Sequence, residues 1–327
     1  MSTLKTASLQ HPDASANTIN LSSAGNVSIT GNVGIGETTP DNTLHVNSGT
    51  TNIAAKFEST DATAGILLLD NTGNVELTTT GGNFEVRPAG GSPVVTVNSS
   101  GNVGIGTTPS AWRPEYSDKA LDIGTHSAIY DQTGTGTWIT NNVYRATSNP
   151  LKYKITAGAG YLAMDGGTLS FSNAPSGTAG TTATFTERMA VDTSGRVTMP
   201  YQPSFEAYRT LGNVAQGNIV VFNNTRHNTG NHFNTSTGVF TAPVAGAYIF
   251  THQCFTDSGN GCTVDMQING VNRLRMEADI NSAYRSLAAS AVFDLSANDT
   301  VRIYTTSGTA HYNTSGFYSS FTGHLLG

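Results

Sequence analysis

Six carboxylates in the last third of the chain, Asp257, Asp265, Glu277, Asp279, Asp294 and Asp299, are the side chains best suited by type to chemistry. Hydrolysis of a polysaccharide needs two carboxyl groups about 5 to 10 Å apart on either side of the glycosidic bond. No spacing marks a pair among the six, and the long regular β-helical repeats of depolymerising enzymes are absent, so an enzyme is not expected. A polysaccharide depolymerase stays as the alternative reading. No Gly-x-Ser-x-Gly elbow is present to present a nucleophile. GNVGIG, at Gly31 and again at Gly101, has the glycine spacing of a phosphate loop. It occurs twice with no helical pattern after it, which excludes that use. His227 and His232 share a loop and are weak metal ligands on their own. Cys254 and Cys262 flank FTDSGNG. A disulfide across such a hairpin is geometrically feasible, but a reducing cytoplasm favours two small buried thiols.

Binding offers more than catalysis. Saccharides are held by exposed aromatic rings with Asn, Asp and Arg nearby. The segment ADINSAYR supplies Asp279, Asn281, Tyr284 and Arg285, and SGTAHYNTSG supplies His311, Tyr312 and Asn313. The plainer reading of each is an ordinary solvated loop.

The elements that must position these loops are strands. Charged residues are 12% of the 327, about half the proportion usual in soluble domains. A net charge of −6 spread this thinly argues against nucleic-acid binding, which needs Lys and Arg to displace counterions from phosphates. Short runs of Val, Ile, Thr, Phe and Tyr alternate with Gly, Asn, Asp and Ser clusters, the pattern of strands and turns. The opening MSTLKTASLQHPDASANTINL lacks the apolar core of a secretory signal. No stretch reaches the roughly 20 apolar residues of a membrane helix, so no membrane insertion is expected.

Repetition organises the first two thirds. SSAGNVSI at Gly25, DNTGNVEL at Gly73, NSSGNVGI at Gly101 and DTSGRVTM at Gly195 share a small or polar lead-in, a turn glycine, a polar residue and then Val at the start of a short strand. One such unit cannot bury an apolar face alone and must stack or pair with copies in other chains. Their irregular spacing favours an intertwined trimeric β shaft over a single-chain solenoid. Ile66, Leu67, Leu68 and Leu69 make both faces of one strand apolar, so both need cover. The expected organisation is an N-terminal attachment segment at 1–20, a repeat-containing shaft at 21–110, a β-rich module at 111–200 and a head at 201–327. Pro200 and Pro203 stiffen the last boundary.

From Pro203 onward the chain resembles the globular head of complement component 1q and the related tumour necrosis factor fold. Phe222, Asn228, Phe233, Phe240, Gly246, Tyr248 and Phe250 match the family signature in order and spacing. His252 departs from it, standing where Phe or Tyr is usual, at what reads as a strand end. LSANDTVRIY resembles the family's Leu-x-x-Gly-Asp-x-Val step, with Asn298 in place of Gly, and Asn also tolerates left-handed backbone. The closing SSFTGHLL resembles the family's final strand. The resemblance implies a ten-stranded jelly roll that packs as a homotrimer, with aromatics buried along the threefold axis and Phe321, Leu325 and Leu326 near it. It also implies calcium near the apex. Asp279 and Asn281 would be the donors, against the plainer reading of both as solvated, and no other cofactor is expected.

The GNVGIG phrases, LHV at Leu44 and the opening MSTLK…LQHP resemble tail-fibre proteins of tailed phages, including phages of cyanobacteria. Similar phrases occur in bacterial surface proteins. This second resemblance implies a virion tail fibre assembled in the host cytoplasm. Its N-terminus would dock to other tail or baseplate proteins, and its head would contact a host surface glycan or protein. A decoration or collar fibre without a receptor role is the further alternative.

Overall fold

The computed structural model describes residues 8–10, 18–21, 27–29, 31–88, 90–113, 115, 117–256, 261–279, 285–312, 314 and 319–327. The fold is all-β, and among the described residues no α-helix occurs. The chain divides into two compact units, Met1–Trp112 with Lys119–Thr125, and Arg113–Asp118 with His126–Gly327.

In the first unit Ser8–Gln10, Thr18–Leu21 and Val27–Ile29 form a small antiparallel sheet. The two GNVGIG phrases fold alike. Val33–Ile35 pairs in parallel with Leu44–Val46, and Val103–Ile105 pairs in parallel with Lys119–Ile123. In both copies the chain turns back over the middle glycine. A Cβ on Gly34 would lie 2.1 Å from the Glu37 carbonyl oxygen, and one on Gly104 would lie 2.1 Å from that of Thr107.

Thr63–Leu69, Asn74–Thr80, Asn83–Pro88, Val95–Val97 and Val103–Ile105 form an antiparallel meander that ends on Lys119–Ile123. Because side chains alternate along a strand, the register sorts this sheet into two unlike faces. One carries the row Ile123, Ile105, Val95, Val86, Leu77, Ile66, flanked by Leu121, Val103, Val97 and Phe84. The other carries Asp122, Gly104, Thr96, Glu85 and Thr78. The polar face is the covered one: Asp122, Thr96, Glu85 and Thr78 are buried, while Ile123, Ile105, Phe84 and Ile66 are about 40% exposed. Asp122 is held by Ser110 N (2.6 Å) and Trp112 Nε1 (3.0 Å) of the following loop. Leu67, Leu68 and Leu69 are more exposed still.

The second unit begins similarly. Ser127–Gln132, Gly136–Asn141, Ala157–Asp165, Thr168–Gly177 and Thr186–Val191 form a meander. One face buries Tyr130, Trp138 and Ala163, with the Arg145 guanidinium 5.0 Å from the Trp138 ring. The opposite face aligns Ile129, Ile139, Leu162, Phe171 and Met189, of which Ile129, Ile139 and Phe171 are exposed.

The rest of the second unit is a jelly roll. One sheet orders Asn224–Thr229, Ser204–Tyr208, Ser320–Leu325, Gly246–Thr256 and Ser286–Leu295. The other orders Val239–Thr241, Thr300–His311, Cys262–Ile268 and Val271–Ala278. Where ten strands were expected, twelve fall between Ser204 and Leu325 among the described residues, three of them two-residue pieces. Phe222, Phe233, Phe240, Tyr248, Phe250, Phe321 and Leu325 form the core with Phe205. Phe205 stacks on Phe233 at 4.6 Å and meets Phe321 edge-on at 5.1 Å. Each such ring contributes about 2–3 kcal/mol by burial, and the ring pairs add to that. Gly323 fits the closing motif because a Cβ there would sit 2.4 Å from the Phe205 ring.

Three expectations need correction. Phe321 points between the sheets of its own chain, so it fills the sandwich and is not available to line an axis. Leu326 lies beyond the last strand and is 54% exposed, so it is outside the core of its own chain. His252 is not at a strand end: it lies within Gly246–Thr256 and is fully buried. The turn substitutions hold, since Asn298 adopts φ 73° and Asn269-Gly270 adopts φ 50° and 80°.

Candidate functional site

Strand direction decides which loops of the head meet. Ser204 lies opposite His324 and Tyr208 opposite Ser320, while Tyr248 lies opposite Leu325 and Gln253 opposite Ser320. The end at which the chain enters the sandwich therefore holds Ser204, Gly246 and Leu325. The other end holds Tyr208, Thr256 and Ser320. At that far end Arg285 N donates to Thr256 Oγ1 (3.0 Å) and Thr256 N donates to Arg285 O (2.9 Å). Cys262 lies opposite Ala278 and Gly308, and Phe255 opposite His311. The two segments singled out in the sequence are thus gathered at one end, the one opposite chain entry.

A groove of about 450 Å³ opens there, lined by Glu277, Ala278, Asp279, Arg285, Ser286 and Leu287. Its carboxylates accept and its guanidinium donates, the combination that hydroxyl-rich ligands need. Glu277, considered from sequence only as a hydrolytic carboxylate and not as a binding residue, lies on the side of Val271–Ala278 that Asp279 continues. Asn281, Tyr284 and Asn313 lie outside the described residues.

Tyr312 does not belong to a contact surface. It is 1% exposed and packs edge-on against Phe222 at 6.1 Å, with the Arg209 guanidinium 5.7 Å from its ring. Its backbone N donates to Asn213 Oδ1 (3.3 Å). Arg209, itself buried, donates to the carbonyls of Gly212 (2.9 Å) and Val221 (2.6 Å). Tyr312, Arg209 and Asn213 thus form a floor beneath the far end, tying the loop that follows Tyr208 to the last strands.

Under this floor lies a polar island. His252 Nδ1 donates to the Ser320 carbonyl (2.9 Å), which fixes the tautomer because a carbonyl only accepts. Its Nε2 then faces the Tyr312 hydroxyl at 3.4 Å. Burial pushes His252 down to about 4, so it is neutral near neutral pH. Burial, then the neighbouring Cys262, pushes the Cys254 thiol up to about 12, and burial raises Cys262. Both are free thiols, held in their unreactive protonated form.

Asp265 and Asp299 are structural. Burial pushes Asp265 up, but hydrogen bonds from Arg275 and Thr306 outweigh it and hold the carboxyl below its usual range. Arg275 Nε (2.9 Å) and Nη2 (3.1 Å), Asn272 Nδ2 (2.7 Å) and Thr306 Oγ1 all donate to it. Asp299 accepts from Asn269 Nδ2 and Ser296 N, both at 2.8 Å. Neither is free to act as an acid or base, and Asp257 lies outside the described residues. Among the described residues no three carboxylate, imidazole or thiol groups converge.

Solved structures similar to this chain include the globular domain of zebrafish complement 1qA (21% identity, 38% of this chain and 98% of that one, TM-score 0.33). Others are Eiger TNF from S. frugiperda (15%, 38% and 93%, TM-score 0.34) and murine APRIL (14%, 38% and 99%, TM-score 0.31). Domains of the complement 1q and tumour necrosis factor type form homotrimers and are typically non-enzymatic binding domains. The family model for the C1q domain matches residues 204–326, so this portion of the chain is a C1q-like globular domain.

Proposed function

We propose that this chain is a homotrimeric virion tail-fibre subunit whose head binds a host-surface receptor, a glycan by the chemistry of its groove. One observation carries the reading. The head has a complete core of its own, whereas no Val, Leu, Ile, Phe, Met or Trp side chain is buried among described residues 31–111. A segment built this way folds by sharing its apolar surface with other copies, as a fibre does. The outward face of the head sheet also carries a small neutral patch, Ile249, Thr251, Ser290 and Val292, bordered by Asp294 and His324, and Thr251 and Ser290 are hydrogen bonded at 2.7 Å.

On this reading the N-terminal segment docks to other tail or baseplate proteins and the loops opposite chain entry touch the host. Three weak heads per fibre bind by avidity without any tight single contact. The test is adsorption of particles to host cells with the head saturated by antibody. Adsorption should fall sharply, and full adsorption would overturn the receptor role. Asp279→Ala with Arg285→Ala should weaken binding of the purified full-length protein about tenfold, the effect of losing roughly 1.4 kcal/mol of contacts, with its melting unchanged. Release of sugar from host polysaccharide by the same protein would favour a depolymerase instead.

A further inference from the structure

We propose that the bare apolar face of the first unit's sheet is the surface by which copies of this chain join, packed against the same face of two further copies around a threefold axis. The inference rests on the trimeric reading above and says where and how the shaft is held.

The burial of this sheet is inverted. In a monomeric protein the apolar face is covered and the polar face is wet. Here Asp122, Thr96, Glu85 and Thr78 are buried, Asp122 under the Ser110–Trp112 loop, whereas in the row on the other face Ile123, Ile105 and Ile66 are exposed and Val95, Val86 and Leu77 half-buried. Six strands spaced about 4.8 Å apart make this face about 24 Å wide. A contiguous apolar surface of that extent exceeds what soluble monomers leave exposed and marks a protein contact.

Three observations select further copies of the same chain as the occupant. The row holds only Val, Ile and Leu, so it offers no charge or hydrogen bond by which an unlike partner would be recognised, and like rows interdigitate with like. The second unit's meander also leaves apolar side chains open, Ile129, Ile139 and Phe171 on one face, although there the buried face is aromatic, with Tyr130 and Trp138. That unit continues into a C1q-like domain, a type that forms homotrimers, and three chains held at their heads present three equivalent sheets. Three flat sheets facing inward enclose a triangular core in which every face is covered. Ladder hydrogen bonds run between strands of one chain throughout this meander. The copies therefore join side by side through side chains, without exchanging strands.

The test uses the full-length protein carrying one added thiol, Ile105→Cys in the face or Ser99→Cys in an exposed turn. Maleimide labelling rate and solution mass are both measured. The expected result is a mass three times that of the chain, with Ile105→Cys labelled about 100-fold more slowly than Ser99→Cys, as for a site reached only by local opening. A trimer in which both thiols react at the same rate overturns the inference and leaves the trimeric reading intact. A monomeric mass overturns both. Protection within a complex whose mass is not a multiple of the chain means that another protein covers the face, which also overturns the inference. Ile123→Cys, in the same row, carries the same outcomes if Ile105→Cys does not fold.

Discussion

Replacing His252 with Phe is expected to leave the head folded near neutral pH and to remove much of its sensitivity to mild acid. In the folded protein the imidazole is fully buried, and its pKa falls from 6.5 to about 4. The unfolded chain therefore takes up this proton first as pH drops, and the folded state loses stability between 6.5 and about 4. Each unit of pKa difference corresponds to about 1.4 kcal/mol, so the full window removes about 3 kcal/mol, most of it by about pH 4.5. Phe removes that loss. It also forfeits the hydrogen bonds to Ser320 O and Tyr312, about 1 kcal/mol, while adding apolar volume to a site already ringed by Phe222, Phe321 and Tyr312. The measurement is urea unfolding of the full-length protein and the variant at a series of pH values from about 7.5 to 4. Wild type should lose about 2 to 3 kcal/mol more than the variant across this range. Asp265 does not confuse the result. Its carboxyl is held below 3.8, so its contribution is present above that value and lost further into acid. Parallel curves for the two proteins would refute the assignment of a neutral, buried His252.

Asp265→Ala strands the Asn272 and Thr306 donors beneath a half-exposed Arg275, and urea unfolding should show a loss of about 2 kcal/mol. Gly104→Ala drives a Cβ into the Thr107 carbonyl and should lower the melting temperature of the first unit by several degrees. Gly106→Ala, at φ 64° with open space around it, should cost only about 1 kcal/mol of backbone strain. Residues 201–327 expressed alone should give a cooperative thermal transition by circular dichroism. Residues 1–200 alone should aggregate or stay unfolded, and a stable monomer from 1–200 would contradict the shared-core reading.

The head was legible because its signals are local or fixed by spacing. Val264, Met266 and Ile268 alternate, Asn269-Gly270 closes a hairpin, and the aromatic positions from Phe222 to Phe250 all reach the core. Tyr312 was misread because an aromatic in a polar string, HYN, gives no sign of which way it points. Its burial depends on Phe222, Arg209 and His252, which only the fold brings near. The binding place of Glu277 was hidden for the opposite reason: the sequence marks it as one carboxylate among six, and only the fold puts a groove beside it. In the first unit the alternation of each strand could be read, but not the face. The row from Ile123 to Ile66 exists only once five pairings fix a common register, and a shift of one residue would have scattered it across both sides.

That register bears on how such a chain reaches its folded state. Half-exposed side chains such as Ile66, Leu68, Val75, Phe84, Ile105 and Ile123 each leave about 1 kcal/mol or more of burial unrealised. The sum is comparable with the whole stability of a small domain. On the proposed assembly the shaft is stable only as it associates, whereas the head, whose core members all lie between Phe205 and Leu325, requires no partner to fold. Heads that trimerise first hold three shafts at an effective concentration near the millimolar range. The shaft faces then meet without a three-body encounter. In the same step the register of one chain against the others is set from a fixed end, which flat rows of Val, Ile and Leu could not set for themselves. The sparse charge of the shaft fits this division of labour, since specificity supplied by the head leaves the shaft faces free to be uniformly apolar.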